Sequence, residues 1–376
     1  MSDTPFGNFG FMGDLMKMLG QQGPNSWLET ARALALNIAR GDDADPNPLP
    51  VERQRLEQYG PLVARHIEMM LGVPQTTPAQ ASTRSELSEA ALRDWSPLVA
   101  PHASAPPAAT TPEDDNPLAP MLAQLGAAMG PLFIGFQLGS VAGHFSETAW
   151  SLGAIPLPRE NDERAIIVNN VARFADEWSL DHDQAMIYAV AYEHTAATYL
   201  RQDGTATALR AMLFDAVQDA QAAQGDIMGR LTGLMQGGDM SELMSNPEQL
   251  LNGIELGEET PATIAIDAAS VCLRATFDFI ASHVTHSIVG PTPLLDEALR
   301  RHRRSDAKGE ESAAALFGIS IRGSRVDIAE QFVREVVTTW GIEELTRLFQ
   351  LDGLPSADEL VQPASWRRRV TQSPFS

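Results

Sequence analysis

The sequence predicts a mainly α-helical protein with one or two short β segments. Three observations lead there. Long stretches repeat apolar residues at three- and four-residue steps, the period of a helix with one buried face. Ala, Leu and Met, all good helix formers, are abundant. Runs with β preference are confined to Ala165-Ile166-Ile167-Val168 and the segment GISIRG at 318–323. A chain of 376 residues suffices for one large or two ordinary domains.

The elements follow in order. Residues 1–24 are rich in Gly, Phe and Met and read as a flexible arm, able to dock Phe6, Phe9 and Phe11 on a partner or on its own body. An N-terminal helical region spans 25–99. Its first helix is capped by Asn25 and runs through Trp27 to Ala39. Its second covers Val51 to Leu71, and its third Ser85 to Val99 with Trp95 and Leu98 on the apolar side. The Pro- and Ala-rich stretch 100–119 is expected to be a linker or a long surface loop, open to limited proteolysis.

From Pro120 to Phe145 the only ionisable side chain is His144, and Gly135, Gly139 and Gly143 lie four apart, as in membrane helix pairs. The further glycines, the two glutamines and the internal Pro131 argue against insertion, as does the lack of interfacial anchors. The expectation is a soluble helix pair whose glycines permit close backbone packing. Pro156 and Pro158 then stop a helix. Asn169 is placed to cap the next one, NVARFADEW. The stretch Asp183–Leu200, DQAMIYAVAYEHTAATYL, reads as a buried core helix. After the turn Asp203-Gly204, a helix is expected from Ala206 to Ala223, and irregular structure over 232–260. A long helix from Pro261 to Val289 ends at Gly290-Pro291. A basic helix with Arg300, Arg301, Arg303 and Arg304 follows, then one from Val326 to Thr339. A final ordered piece runs from Leu354 to Arg369. The domain of interest is thus 120–370.

Charge narrows the partners. The chain carries a net −22, unevenly: residues 300–376 hold 12 Lys+Arg against 11 Asp+Glu, the preceding 299 hold 15 against 38. An acidic body repels nucleic acid and anionic membrane, so neither is an expected partner. The Arg-rich stretches 300–304 and 367–369 read as counter-charge for that body. Single Cys272 rules out an intramolecular disulfide and a multi-cysteine zinc site, and with no export signal at the N-terminus the expected compartment is the cytoplasm.

Function turns on Glu193 and His194, two polar residues in an otherwise nearly uncharged core helix. The pair resembles the zinc-protease signature H-E-x-x-H, in which two histidines on one helix face bind the metal and the Glu activates water. Centred on Glu193, the ligand positions are Tyr192 and Ala196. Alanine has no donor atom, and a phenol of pKa about 10 resists deprotonation. A buried Glu193 without metal needs a partner; His194, Arg173 and Tyr192 are the candidates. A rebuilt site is conceivable from His194 with His283 and His286, the latter two i, i+3 on one face, and Glu193 or Asp278 assisting. No nucleophile elbow, Walker motif or dinucleotide fingerprint is present.

Several stretches together resemble the actinobacterial zincin-like metallopeptidases, assigned as hydrolases or associated with deazaflavin-cofactor biosynthesis. They are PFGNFGFMGDLMKMLGQ with GPNSWLETARALA, the glycine-rich QLGAAMGPLFIGFQLGSVAG, IIVNNVARFADEWSLDHDQAMIYAVAYEH, VGPTPLLDEALRRHR, ALFGISIRGSR and LPSADELVQPASW. The resemblance covers residues 1–40 and 117–369. It implies a mostly helical zincin-like domain with metal held between the active-site helix and a later one. It places Glu193 on the catalytic Glu, and Tyr192, Ala196 and Ala281 on the three ligand positions. Three protein ligands are the usual minimum for catalytic zinc, so the expectation is a family member without cofactor or catalysis, a pseudoenzyme binding a peptide or protein. One suggested route is pairing of an extended segment with the strand Ile166–Asn170. The alternative is a zinc-dependent metallohydrolase with non-standard ligands.

Overall fold

A computed structural model describes residues 26–41, 45–103, 119–236, 260–302, 316–317 and 323–372. Helix α1 (Ser26–Arg40) is followed by α2 (Pro50–Leu71), α3 (Arg84–Ala103) and α4 (Ala119–Thr148). Next come α5 (Val168–Glu177), α6 (His182–Leu200), α7 (Asp203–Gln236), α8 (Pro261–Val289) and α9 (Pro293–His302). The described chain ends with α10 (Gly323–Trp340), α11 (Ala357–Val361) and α12 (Pro363–Gln372). The mainly helical expectation holds, and the two short strands, β1 (Gln80–Ala81) and β2 (Ala165–Ile166), are all the sheet among the described residues.

The glycine-rich stretch forms α4, a continuous helix through Pro131 rather than a pair, and it packs on α1 and α3. A methyl group on Gly135 would sit 2.3 Å from the Trp27 carbonyl oxygen, and one on Gly139 2.5 Å from that of Ala31. Absence of Cβ lets the two backbones touch, which is the role expected of these residues. Among the described residues no helix is long and apolar enough to cross a membrane.

Helix α6 is the centre of the molecule. Asp181 caps it, its carboxylate accepting from the backbone N–H groups of Asp183 (2.9 Å) and Gln184 (3.0 Å). The helix is then buried nearly all round, wedged between α2 and α8. Thr260 and Thr263 form a reciprocal cap at the start of α8, which ends at Gly290 as the sequence indicates. The packing of α6 on α8 joins the two long helices expected to pack against each other. The N-terminal helices share one continuous core with them: Trp27, Val63, Ile67 and Trp95 belong to the same buried cluster as Ile187, Phe277 and Trp366.

Several expectations are corrected in detail. The linker 100–119 is helix at both ends, since α3 runs on to a buried Ala103 and α4 begins at Ala119; residues 104–118 lie outside the described residues. Helix α7 extends to Gln236, so 232–236 are helical, while 237–259 lie outside the described residues. The same holds for the 1–24 arm, for Arg303 and Arg304, and for 318–322 of GISIRG. Asn169 does not cap α5. Ile167 takes the cap position, and the Asn169 amide donates to the Pro46 carbonyl at 2.8 Å.

The Ile166–Asn170 edge is also corrected. Only Ala165–Ile166 is strand, because α5 starts at Val168. One side of it pairs in parallel with β1, Gln80 N–H donating to the Arg164 carbonyl and Ser82 N–H to that of Ile166, both at 2.8 Å. The other side bridges to Ser151, with Ile167 N–H donating to the Trp150 carbonyl at 2.8 Å. A strand flanked on both sides offers no ladder to an incoming peptide.

Candidate functional site

Glu193 sits midway along α6 and is fully buried. Its partner is Arg159, and neither His194, Arg173 nor Tyr192 takes that role. The guanidinium, itself 2% exposed, spans the carboxylate: Nη1 lies 2.7 Å from Oε1 and Nη2 3.2 Å from Oε2. Oε2 also accepts the backbone N–H of Gly153 at 2.9 Å. Gly153 belongs to a 3-10 turn, Leu152–Ala154, packed on α6. A Cβ on Gly153 would fall 2.3 Å from the Cβ of Ala196, so small residues at both places bring this turn onto the helix. Two donors fix both oxygens of Glu193 in a dry setting. A charged bidentate pair with a third donor is the arrangement that offsets burial of a carboxylate.

Nothing in the sequence pattern singles out Arg159 or Gly153. Both lie in the segment between α4 and α5, where no period operates, and only the fold brings them 34 to 40 positions along the chain to Glu193. The signal that exists is Arg159 itself, a cation following the apolar run Gly153 to Pro158. Beside Arg159, Asp94 is buried, and burial raises its carboxyl group above the ordinary range against the opposing Asn161 amide 3.1 Å away and Arg159.

His194 points into a different cluster. Its Nδ1 lies 2.5 Å from Arg164 Nη1 and 3.1 Å from Gln75 Oε1. Burial, then the charge of Arg164, lowers its pKa to about 3. The imidazole is therefore neutral, and its buried Nε2 has no hydrogen-bond partner among the described residues. The alternative metal triad does not assemble. His283 is exposed and stacks on Phe279 at 6.3 Å, while Nε2 of His286 faces Thr292 (3.0 Å) and Asp296 (3.1 Å). Among the described residues no group of three His, Cys, Asp or Glu could hold a metal ion.

The three ligand positions implied by the resemblance are equally informative. Ala196 and Ala281 are fully buried methyl groups. Tyr192 is half-buried, edge-on to Phe277 at 5.8 Å and tilted against Tyr188 at 6.3 Å. Zinc does not fit these residues. The donors are a phenol and two methyls, and the adjacent carboxylate is already engaged by a guanidinium, whose charge opposes a second cation.

Tyr192 does open onto a pocket of about 110 Å³ that faces solvent between α6, α8 and the end of α9. Its walls include Trp150, Tyr188, Tyr192, Arg274, Asp278 and His302. The Tyr188 hydroxyl donates to Asp278 Oδ1 at 2.5 Å. Trp150 lies edge-on to Tyr188 (6.1 Å, 86°) and nearly parallel to His302 (6.4 Å, 19°). Asp278 was marked by the sequence only as an assistant to a metal; Trp150 and Arg274 carry no sequence signal at all. A concave, aromatic-rich wall with a few converging charged groups is the usual form of a ligand site.

The family model for zincin-like metallopeptidases matches residues 27–366. Among solved structures, a Chloroflexus aurantiacus protein, provisionally called a hydrolase with a novel fold, is similar with a TM-score of 0.56 and 17% identity. The match covers 92% of this chain and 98% of that one, and at this identity it is a likeness of fold. No curated protein matches.

Proposed function

The chain belongs to the zincin-like metallopeptidase family, and within that family we propose a non-catalytic member that holds a peptide or protein segment in the pocket beside Tyr192. The observation that carries this reading is the engagement of Glu193. A general base must be free to take a proton from water, whereas this carboxylate accepts from Arg159 at both oxygens and from Gly153 at one. Ala196 supports the same reading, because the turn that holds Glu193 occupies the space above it. The pocket lies on the adjacent face of the same helix and is made without Glu193. The frame of a hydrolytic site thus serves as a rigid wall for binding.

Metal analysis of the full chain, purified without added metal, tests the reading alongside an assay for peptide hydrolysis. The expected result is zinc far below one per chain and no hydrolysis. About one zinc per chain, lost on mutating His194 or His283, would replace this reading with that of a zinc-dependent hydrolase using non-standard ligands.

A further inference from the structure

We infer that Arg159 is the resident cation of the Glu193 site. Its guanidinium takes the place that a metallopeptidase fold gives to a metal ion, and it makes the site selective for guanidinium over divalent cations. The inference rests on the non-catalytic reading above and says what took over the positive charge. Arg159 is held on α6 at both ends. Its backbone N–H donates to the carbonyl of Leu200, the last residue of that helix, at 3.1 Å. Its side chain turns back along α6, where Nη1 donates to Glu193 at 2.7 Å and to the Glu163 carbonyl at 3.3 Å. The cation is thus supplied by the chain and positioned by the helix that carries the carboxylate.

The surroundings suit a flat cation. A guanidinium is planar and weakly hydrated, so it pairs fork to fork with a buried carboxylate more readily than a compact ion does. Zinc needs three converging protein donors, and the Leu152–Ala154 turn closes the space they would use. A Cβ on Gly153 would lie 2.3 Å from the Ala196 Cβ and 3.1 Å from both Arg159 Nη2 and Glu193 Oε2. Turn, guanidinium, carboxylate and the Ala196 methyl therefore share one small volume. An imidazole at 196 would displace the turn, and with it the N–H that Gly153 gives to Glu193. Gly153, Arg159 and Ala196 form one set, in which two small residues make room for the pair and the third supplies the charge.

The test is chemical rescue of the full chain carrying Arg159→Ala, which removes the equivalent of ethylguanidinium. The probes are ethylguanidinium, its neutral isostere ethylurea, ethylammonium and zinc chloride, each at up to about 20 mM, far below the molar range in which guanidinium salts unfold proteins. Ethylguanidinium is expected to raise the melting temperature of the variant saturably at the binding site, by about 2 °C for each tenfold increase beyond its Kd. The other three are expected to leave it unchanged, and the double variant Arg159→Ala with Glu193→Leu is expected not to respond to any. Where Arg159→Ala does not fold alone, recovery of the helical circular dichroism signal is the readout, with the same expectations. No rescue, rescue by ethylurea or ethylammonium as strong as by ethylguanidinium, or stronger rescue by zinc would overturn the inference. Each of these results with a zinc-free wild type leaves the non-catalytic reading standing, whereas about one zinc per wild-type chain overturns both.

Discussion

Replacing Glu193 separates a structural carboxylate from a catalytic one. In Glu193→Leu the Arg159 guanidinium, 2% exposed, keeps among the described residues only the Glu163 carbonyl at 3.3 Å as an accepting partner. A buried charge stripped of its partner costs about 3–5 kcal/mol. Arg159→Leu leaves Glu193 with the Gly153 N–H alone and falls in the same range. The double replacement removes both charges, and apolar substitution of a whole buried pair is often neutral or better. With the double near neutral, the coupling between the two sites is therefore expected to approach the sum of the single losses, about 6–10 kcal/mol. Urea unfolding followed by far-UV circular dichroism and by tryptophan fluorescence reads it, with coincident transitions required before the values are combined. A catalytic carboxylate behaves in the opposite way, since relieving a strained active-site group commonly stabilises. Glu193→Leu or Glu193→Gln more stable than wild type would refute the reasoning, and so would additive single losses.

Two further predictions concern the same region. Gly153→Ala places a methyl 2.3 Å from the Ala196 Cβ and is expected to destabilise by about 1–3 kcal/mol through overpacking; in the double variant with Ala196→Gly the thermal melt should recover part of that loss despite the weaker helix former. Acid should destabilise the protein through His194: the folded imidazole titrates at about 3, against about 6.5 unfolded, so only the unfolded chain binds this proton in that window. The stability is fully present above pH 6.5 and is lost as pH falls toward 3, by at most a few kcal/mol. A His194→Gln variant should lose stability over this window with a slope one proton shallower than wild type in pH-dependent urea titrations.

What the sequence by itself determined is what local period and residue size encode. The long, predominantly apolar runs Asp183–Leu200 and Pro261–Val289 made both core helices legible, and Gly290 marked where the second one stops. Gly135, Gly139 and Gly143 announced a close helix contact, although their partner α1 had to come from the fold. Ligand positions were legible too, because Ala196 and Ala281 lack donor atoms in any geometry. What only the tertiary structure decided are the contacts between segments with no mutual periodicity. Arg159 is no more conspicuous in the sequence than Arg173, yet the chain's return after α4 sets Arg159 on Glu193 and leaves Arg173 against the Glu147 carbonyl. The apparent edge at Ile166 closed for the same reason, since β1 and Trp150-Ser151 reach it from 85 and 15 positions away. A buried charge has a definite demand for a partner, but burial, and with it the choice among chemically equivalent arginines, exists only once the helices have packed.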